Sequence, residues 1–95
     1  MRYSELKYDG FEKYLVEEVV RPFNVDGYVY VFKFNNGYGA SVIKHQGSYG
    51  NLEDKFELAV LYNDKLVYDT EITNDVIGWL NNDEVLDLLD QIKEL

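Results

Sequence analysis

Cysteine is absent from the 95-residue chain, which removes disulfides, thiolate nucleophiles and thiolate metal sites and makes a reducing compartment comfortable. No apolar run approaches the roughly 20 residues needed to span a bilayer, and the opening MRYSELKYDG has no hydrophobic signal-peptide core. The expectation is a cytoplasmic protein without membrane contact. Proline occurs once, at Pro22, and no repeat, low-complexity tract or linker divides the chain. One domain over 1–95 follows, with 1–11 expected as a loosely ordered segment, 12–69 as sheet and 73–95 as a helical tail.

Positive charge is scarce. Nine Lys and Arg stand against eighteen Asp and Glu, a net charge of −9, and the imbalance is local. Residues 1–50 are neutral overall, whereas residues 51–95 hold three basic against twelve acidic side chains. A field of that sign repels nucleic acid and anionic membrane and attracts basic surfaces over about a Debye length. Direct nucleic-acid binding is therefore disfavoured, and a protein partner with a basic surface is favoured.

What the chain does contain is ordinary globular material: 46% hydrophobic and 28% charged residues, with aromatics high at 16% through nine tyrosines. Tyrosine serves half-buried strands and binding surfaces alike, having an apolar body and a polar tip. The segment GYVYVFKF (27–34) alternates strictly, with Tyr28, Tyr30, Phe32 and Phe34 on one face. Asn36-Gly37 then signals a hairpin, because both residues accept positive φ. A strand at 38–44 follows, with Gly39 marking a bulge or a close backbone approach. After a loop, KFELAVLY (55–62) reads as a strand, and Asn63-Asp64 turns it into another at 65–68. Residues 12–21 fit a strand or a short helix, and Val16, Val19, Val20 and Pro22 favour the strand.

The period changes in the tail. ITNDVIGWL reads as a cap at Thr73 or Asn74 opening a turn or two of helix that Gly78 weakens. In NNDEVLDLLDQIKEL, residues Val85, Leu88, Leu89, Ile92 and Leu95 fall on one stripe of an amphipathic helix. The predicted architecture is α+β: a largely antiparallel meander of four to five strands packed against a C-terminal helix.

The outward face of that helix collects Asp83, Glu84, Asp87, Asp90 and Glu94. Asp83 and Glu84 suit the positive end of the helix dipole, but Asp83/Asp87 and Asp90/Glu94 are like-charge pairs costing roughly 0.2–0.5 kcal/mol each. The stripe is about 16 Å long. It complements a basic cleft, or it is a solvated face that keeps a small protein soluble.

NNGYGASVIKHQGSYG (35–50) holds four of the seven glycines and the single histidine. Turn chemistry accounts for the glycines. A nucleotide-like ligand is the alternative, with Ser41, Lys44, His45, Ser48 and loop amides around an anion and Tyr38, Tyr49 or Trp79 stacking a base. The spacing matches neither a dinucleotide fingerprint nor a phosphate-binding loop, so no cofactor is implied. A Ser-His-acid set could be written from Ser41 or Ser48, His45 and Asp54, but no nucleophile-elbow motif accompanies it. The carboxylates lack calcium-loop spacing. No catalytic residues and no metal are expected.

These motifs, with FELAVLY, LVYDTEITNDVIGWL and the acidic final helix, resemble small acidic bacteriophage-encoded proteins of Gram-positive hosts, from about residue 12 onward. The resemblance implies a context, a host-cell cytoplasm in which such proteins occupy and inhibit host proteins, including defence nucleases and polymerases. It supplies no activity and no site residue. Three readings follow: an inhibitor-like interaction protein, a nucleotide-sequestering protein, or a virion or scaffold component. Each is compatible with a homodimer through a sheet edge.

Overall fold

The sheet grows outward from one hairpin. β2 (Gly27–Lys33) and β3 (Tyr38–His45) pair in unbroken antiparallel register across the Asn36-Gly37 turn, in a computed structural model that describes residues 3–72 and 75–95. β1 (Leu15–Val20) adds on the far side of β2, with a bulge between Leu15 and Glu17, and β4 (Phe56–Tyr62) adds to β3. Gly39 makes no bulge. A side chain there would place its Cβ 2.1 Å from the Phe32 carbonyl oxygen, so glycine permits the close approach of β2 and β3.

Asn63 and Asp64 both take positive φ in the turn to β5 (Lys65–Leu66). The strand expected to run to Tyr68 stops at Leu66. The rest of the edge of β4 is used by a strand that the sequence pattern hides. Residues expected to open a helix form β6 (Ile77–Leu80), which pairs with the other end of β4. Thr73 and Asn74, the expected caps, lie outside the described residues. The physical reason is twofold: β4 offers unpaired backbone there, and a stronger helix start lies downstream. Asn81 caps α1 (Asn82–Lys93), its side chain accepting from the Glu84 amide at 2.8 Å while the Glu84 carboxylate accepts from the Asn81 amide at 2.9 Å.

The fold is thus α+β, a meander with strand order β1-β2-β3-β4-β5 and one C-terminal helix. Alternation sends Tyr28, Tyr30, Phe32, Phe34, Ala40, Val42, Phe56, Leu58 and Val60 to one face, where all are buried. The tyrosine-rich side of β2 is therefore core. Val85, Leu89 and Ile92 of α1 join the same core, and burying each such side chain contributes about 1.5–3 kcal/mol. Residues 3–11 have no strand or helix pattern, yet Tyr3, Leu6 and Phe11 are buried in it as well. Asn82 at the start of α1 exchanges two hydrogen bonds of 2.7 Å with the backbone of Lys7. At the other end of the helix, the Asn36 amide group donates to the carbonyls of Ile92, Lys93 and Leu95 at 3.0–3.1 Å.

The opposite face carries Val19, Val29, Val31, Ile43, Ala59 and Leu61. All are half-buried and stand outside the core cluster, so this face meets solvent.

Candidate functional site

Helix α1 has a wet side, and it is acidic. Asp83, Glu84, Asp87, Asp90 and Glu94 are all exposed. Glu84 is committed to the capping box, Asp87 accepts from the Gln91 amide at 2.9 Å, and Asp90 lies 3.5 Å from Lys93. Two grooves adjoin the helix, one along its N-terminal half and one along its C-terminal half. The larger, about 780 Å³, is lined by Asp69, Glu71, Ile72, Asp90, Glu94 and Leu95 among others. The smaller, about 400 Å³, is lined by Ile77, Leu80, Asp83, Glu84, Asp87 and Leu88 among others. The stripe 83–87–90–94 therefore supplies a wall to each groove, and the loop acids Asp69 and Glu71 extend it. Basic residues of the first fifty make ion pairs elsewhere: Arg21 with Asp26, Lys33 with Asp64, and Lys44 with Asp54.

The residues proposed around an anion do not converge. Ser41 and His45 belong to the open face of β3, by alternation with buried Val42 and Lys44. Tyr38 stands at the opposite end of that strand from His45, about 23 Å away at 3.3 Å per residue, with its ring 4.6 Å from that of Tyr62. Ser48 is buried, and its hydroxyl donates to the His45 carbonyl at 2.9 Å and accepts from the His45 amide at 3.0 Å. The His45 ring uses Nδ1 to accept from the Gly47 amide at 3.0 Å. Ser48 thus engages the His45 backbone and Asp54 engages other groups, an arrangement unlike a proton-relay triad. Among the described residues, no group of three or more His, Asp or Glu is placed to hold a metal ion.

Lys44 departs furthest from its expected role. It is 1% exposed, on the core side of β3. Its ammonium donates to the Ser4 carbonyl and to the Asp54 carboxylate, both at 3.0 Å, and sits 3.7 Å from the centre of the Phe56 ring. Asp54 in turn accepts from the Ser4 amide at 2.9 Å and the Ser4 hydroxyl at 2.5 Å. Burial pushes the Asp54 carboxyl up, but the bonds from Ser4 and Lys44 outweigh it and hold the group below its ordinary range. This is a hook that fastens the N-terminal segment to the sheet. Strand parity alone, counted from Ala40 and Val42, would have shown that Lys44 points inward.

Tyr49 and Trp79, two of the rings predicted to stack a base, are brought into contact by the fold. Their rings stack at 5.5 Å and 22° while remaining 57% and 54% exposed. The backbone is shaped for this contact. A Cβ at Gly78 would stand 2.6 Å from Tyr49 Cβ, and one at Gly50 would stand 2.9 Å from Trp79 Cα. Trp79 itself has φ of +54°, a region that bulky side chains avoid and that costs about 1–3 kcal/mol. Beside the pair, Glu57 accepts from the Tyr49 amide through Oε1 at 3.0 Å. Glu57 is half-buried on the open face, opposite Ile43, and among the described residues no Lys or Arg pairs with it. Sequence reasoning missed Glu57, although the alternation of FELAVLY isolates it as an acid on the Ala59–Leu61 side.

No family of known proteins, curated protein or solved structure matches this chain. Among the described residues, no helix is long and apolar enough to cross a membrane.

Proposed function

We propose that the protein is a non-enzymatic binder of a basic protein surface, using the exposed side of α1 and the adjoining acidic loop. The observation that carries this reading is the pair of grooves walled by Asp83, Asp87, Asp90 and Glu94, with Asp69 and Glu71 across the larger one. Like charges along one helix, offset within it only where Lys93 meets Asp90, are a stability cost, and a partner's lysines or arginines would relieve it. Such a field steers encounter and makes association fall with salt. In the phage setting that the resemblance implies, the partner is a nucleic-acid-binding host protein in the cytoplasm, and occupation of its basic cleft excludes nucleic acid.

The test is affinity capture from host lysate with elution along a salt gradient, run in parallel with an Asp87→Asn/Asp90→Asn/Glu94→Gln variant. Support consists of a partner that elutes at modest salt from the parent protein, is absent from the variant, and is displaced by nucleic acid. A partner retained equally by both proteins at high salt would refute the reading.

A further inference from the structure

We propose that the Tyr49–Trp79 stack and Glu57 form a recognition site for an arginine side chain of the protein partner. The inference deepens the preceding reading and rests on it for the class of partner, but it uses different residues on a different part of the surface. Two large aromatic rings are more than half exposed, held against each other by glycines at positions 50 and 78 and by a left-handed backbone at Trp79. An exposed tryptophan retained at the expense of backbone strain is a contact residue in waiting, since tryptophan, tyrosine and arginine dominate the energetics of protein interfaces.

The neighbouring charge selects the occupant. Glu57 is flanked by Ile43 across the strand and by the Tyr49 loop, it spends one oxygen on the Tyr49 amide, and no cation of the described residues reaches it. Aromatic faces attract cations, and a carboxylate beside them adds charge-assisted hydrogen bonds. A guanidinium satisfies both demands at once, because it is flat enough to stack and forked enough to bond the carboxylate. The molecule already contains the same combination, completed internally, where the Lys44 ammonium lies over Phe56 and bonds Asp54. At Glu57 no Lys or Arg of the described residues plays that part, and a net charge of −9 favours a cation arriving from outside.

Trp79 is the single tryptophan of the chain, so its fluorescence reports on the site directly. The probe is a capped oligo-arginine peptide, with oligo-lysine and oligo-serine peptides as comparisons. The expected result is a saturable change in Trp79 emission with oligo-arginine and several-fold weaker binding of oligo-lysine. Glu57→Gln, which keeps an acceptor for the Tyr49 amide, should weaken oligo-arginine binding about tenfold, and Tyr49→Ala should abolish the emission change. Unaltered far-UV circular dichroism of Glu57→Gln shows that loss of binding is not loss of fold. Equal binding by Glu57→Gln and the parent overturns the site. So does an emission change produced by protein concentration alone, which would mean a second copy, or by nucleotides in place of peptide. If Asp87→Asn/Asp90→Asn/Glu94→Gln loses peptide affinity while Glu57→Gln does not, the helix reading stands and this site falls. The reverse pattern leaves this site standing and removes the helix.

Discussion

The two faces of the sheet come from the same strands, residue by alternate residue, yet one is sealed and the other is bare. Both are apolar. The sealed face carries Tyr28, Tyr30, Phe32, Phe34, Phe56 and Leu58, whereas the bare face carries valine, isoleucine, alanine and leucine. Large rings present more area than a small sheet can shield by itself, so α1 and residues 3–11 settle over them. β-Branched side chains pack against their own neighbours along the pleat and tolerate solvent better. On each face a charged side chain stands beside apolar residues. Lys44 on the sealed side is fully partnered by Asp54, Ser4 and Phe56, whereas Glu57 on the bare side accepts from the Tyr49 amide and pairs with no Lys or Arg among the described residues. The lesson is that coverage follows side-chain bulk and that a lone charge is structural or available according to which side it falls on.

The sharpest way to probe this contrast is to empty the sealed face. Phe32→Ala should cost about 3–5 kcal/mol in chemical denaturation, whereas Val31→Thr on the bare face should stay within about 0.5–1 kcal/mol. Equal losses would mean that something covers both sides. Next in size is the hook. Asp54→Ala strands the buried ammonium of Lys44 and should cost about 2 kcal/mol, less than for a fully buried pair because Asp54 is partly solvated. Lys44→Met removes charge and desolvation cost together and should fall within about 1 kcal/mol of the parent. A Lys44→Met variant as damaged as Asp54→Ala would show that the ammonium contributes more than it costs.

A smaller effect is expected where the turn and the helix meet. Asn36→Ala deprives three carbonyls at the end of α1 of their donor and should cost about 1 kcal/mol, with loss of amide protection in the last helical turn by hydrogen exchange. The smallest effects are those of pH. The folded-state pKa of Asp54 is depressed, so its contribution is complete above the ordinary value of 3.8 and is lost as pH falls through the folded value. The acid limb of a pH–stability curve should accordingly flatten in Asp54→Asn. At the alkaline end, burial chiefly, with Glu18 and Glu5 adding to it, pushes the Tyr30 phenol up to about 12 against the lowering effect of the Leu6 amide. Its contribution is intact below pH 10 and disappears between 10.0 and about 12. Tyr30→Phe should shrink that limb, leaving the part due to Tyr8 and Tyr28, whose phenols burial also pushes up.

Much of the sheet was legible because its signals are local: alternation in GYVYVFKF, the Asn36-Gly37 and Asn63-Asp64 turns, and the stripe Val85–Leu89–Ile92. β6 was not, since four residues containing Gly78 cannot establish a period, and their pairing depends on an edge of β4 some twenty residues earlier. The hook was half-legible, as parity placed Lys44 inward but nothing local named Asp54 or Ser4 as partners. Of the rings expected to stack a ligand base, Tyr49 and Trp79 do meet, through a loop-to-strand contact that only the glycines at 50 and 78 hint at. Glu57 is legible in the sequence as an acid on an apolar side, but among eighteen Asp and Glu that signal is weak.

Asn36 has one more consequence, for how the protein ages. Asparagine followed by glycine is the pair in which the backbone nitrogen most readily attacks the side-chain carbonyl, expelling ammonia to form a cyclic imide that water opens to aspartate or its isomer. While folded, the amide is occupied at the end of α1. Each unfolding releases it, and conversion then replaces a donor with a carboxylate facing the negative end of the helix dipole. Damage of this kind is cumulative, so repeated heating should leave a growing fraction that is heavier by deamidation and no longer refolds to the original stability, as mass spectrometry and successive melting curves would show.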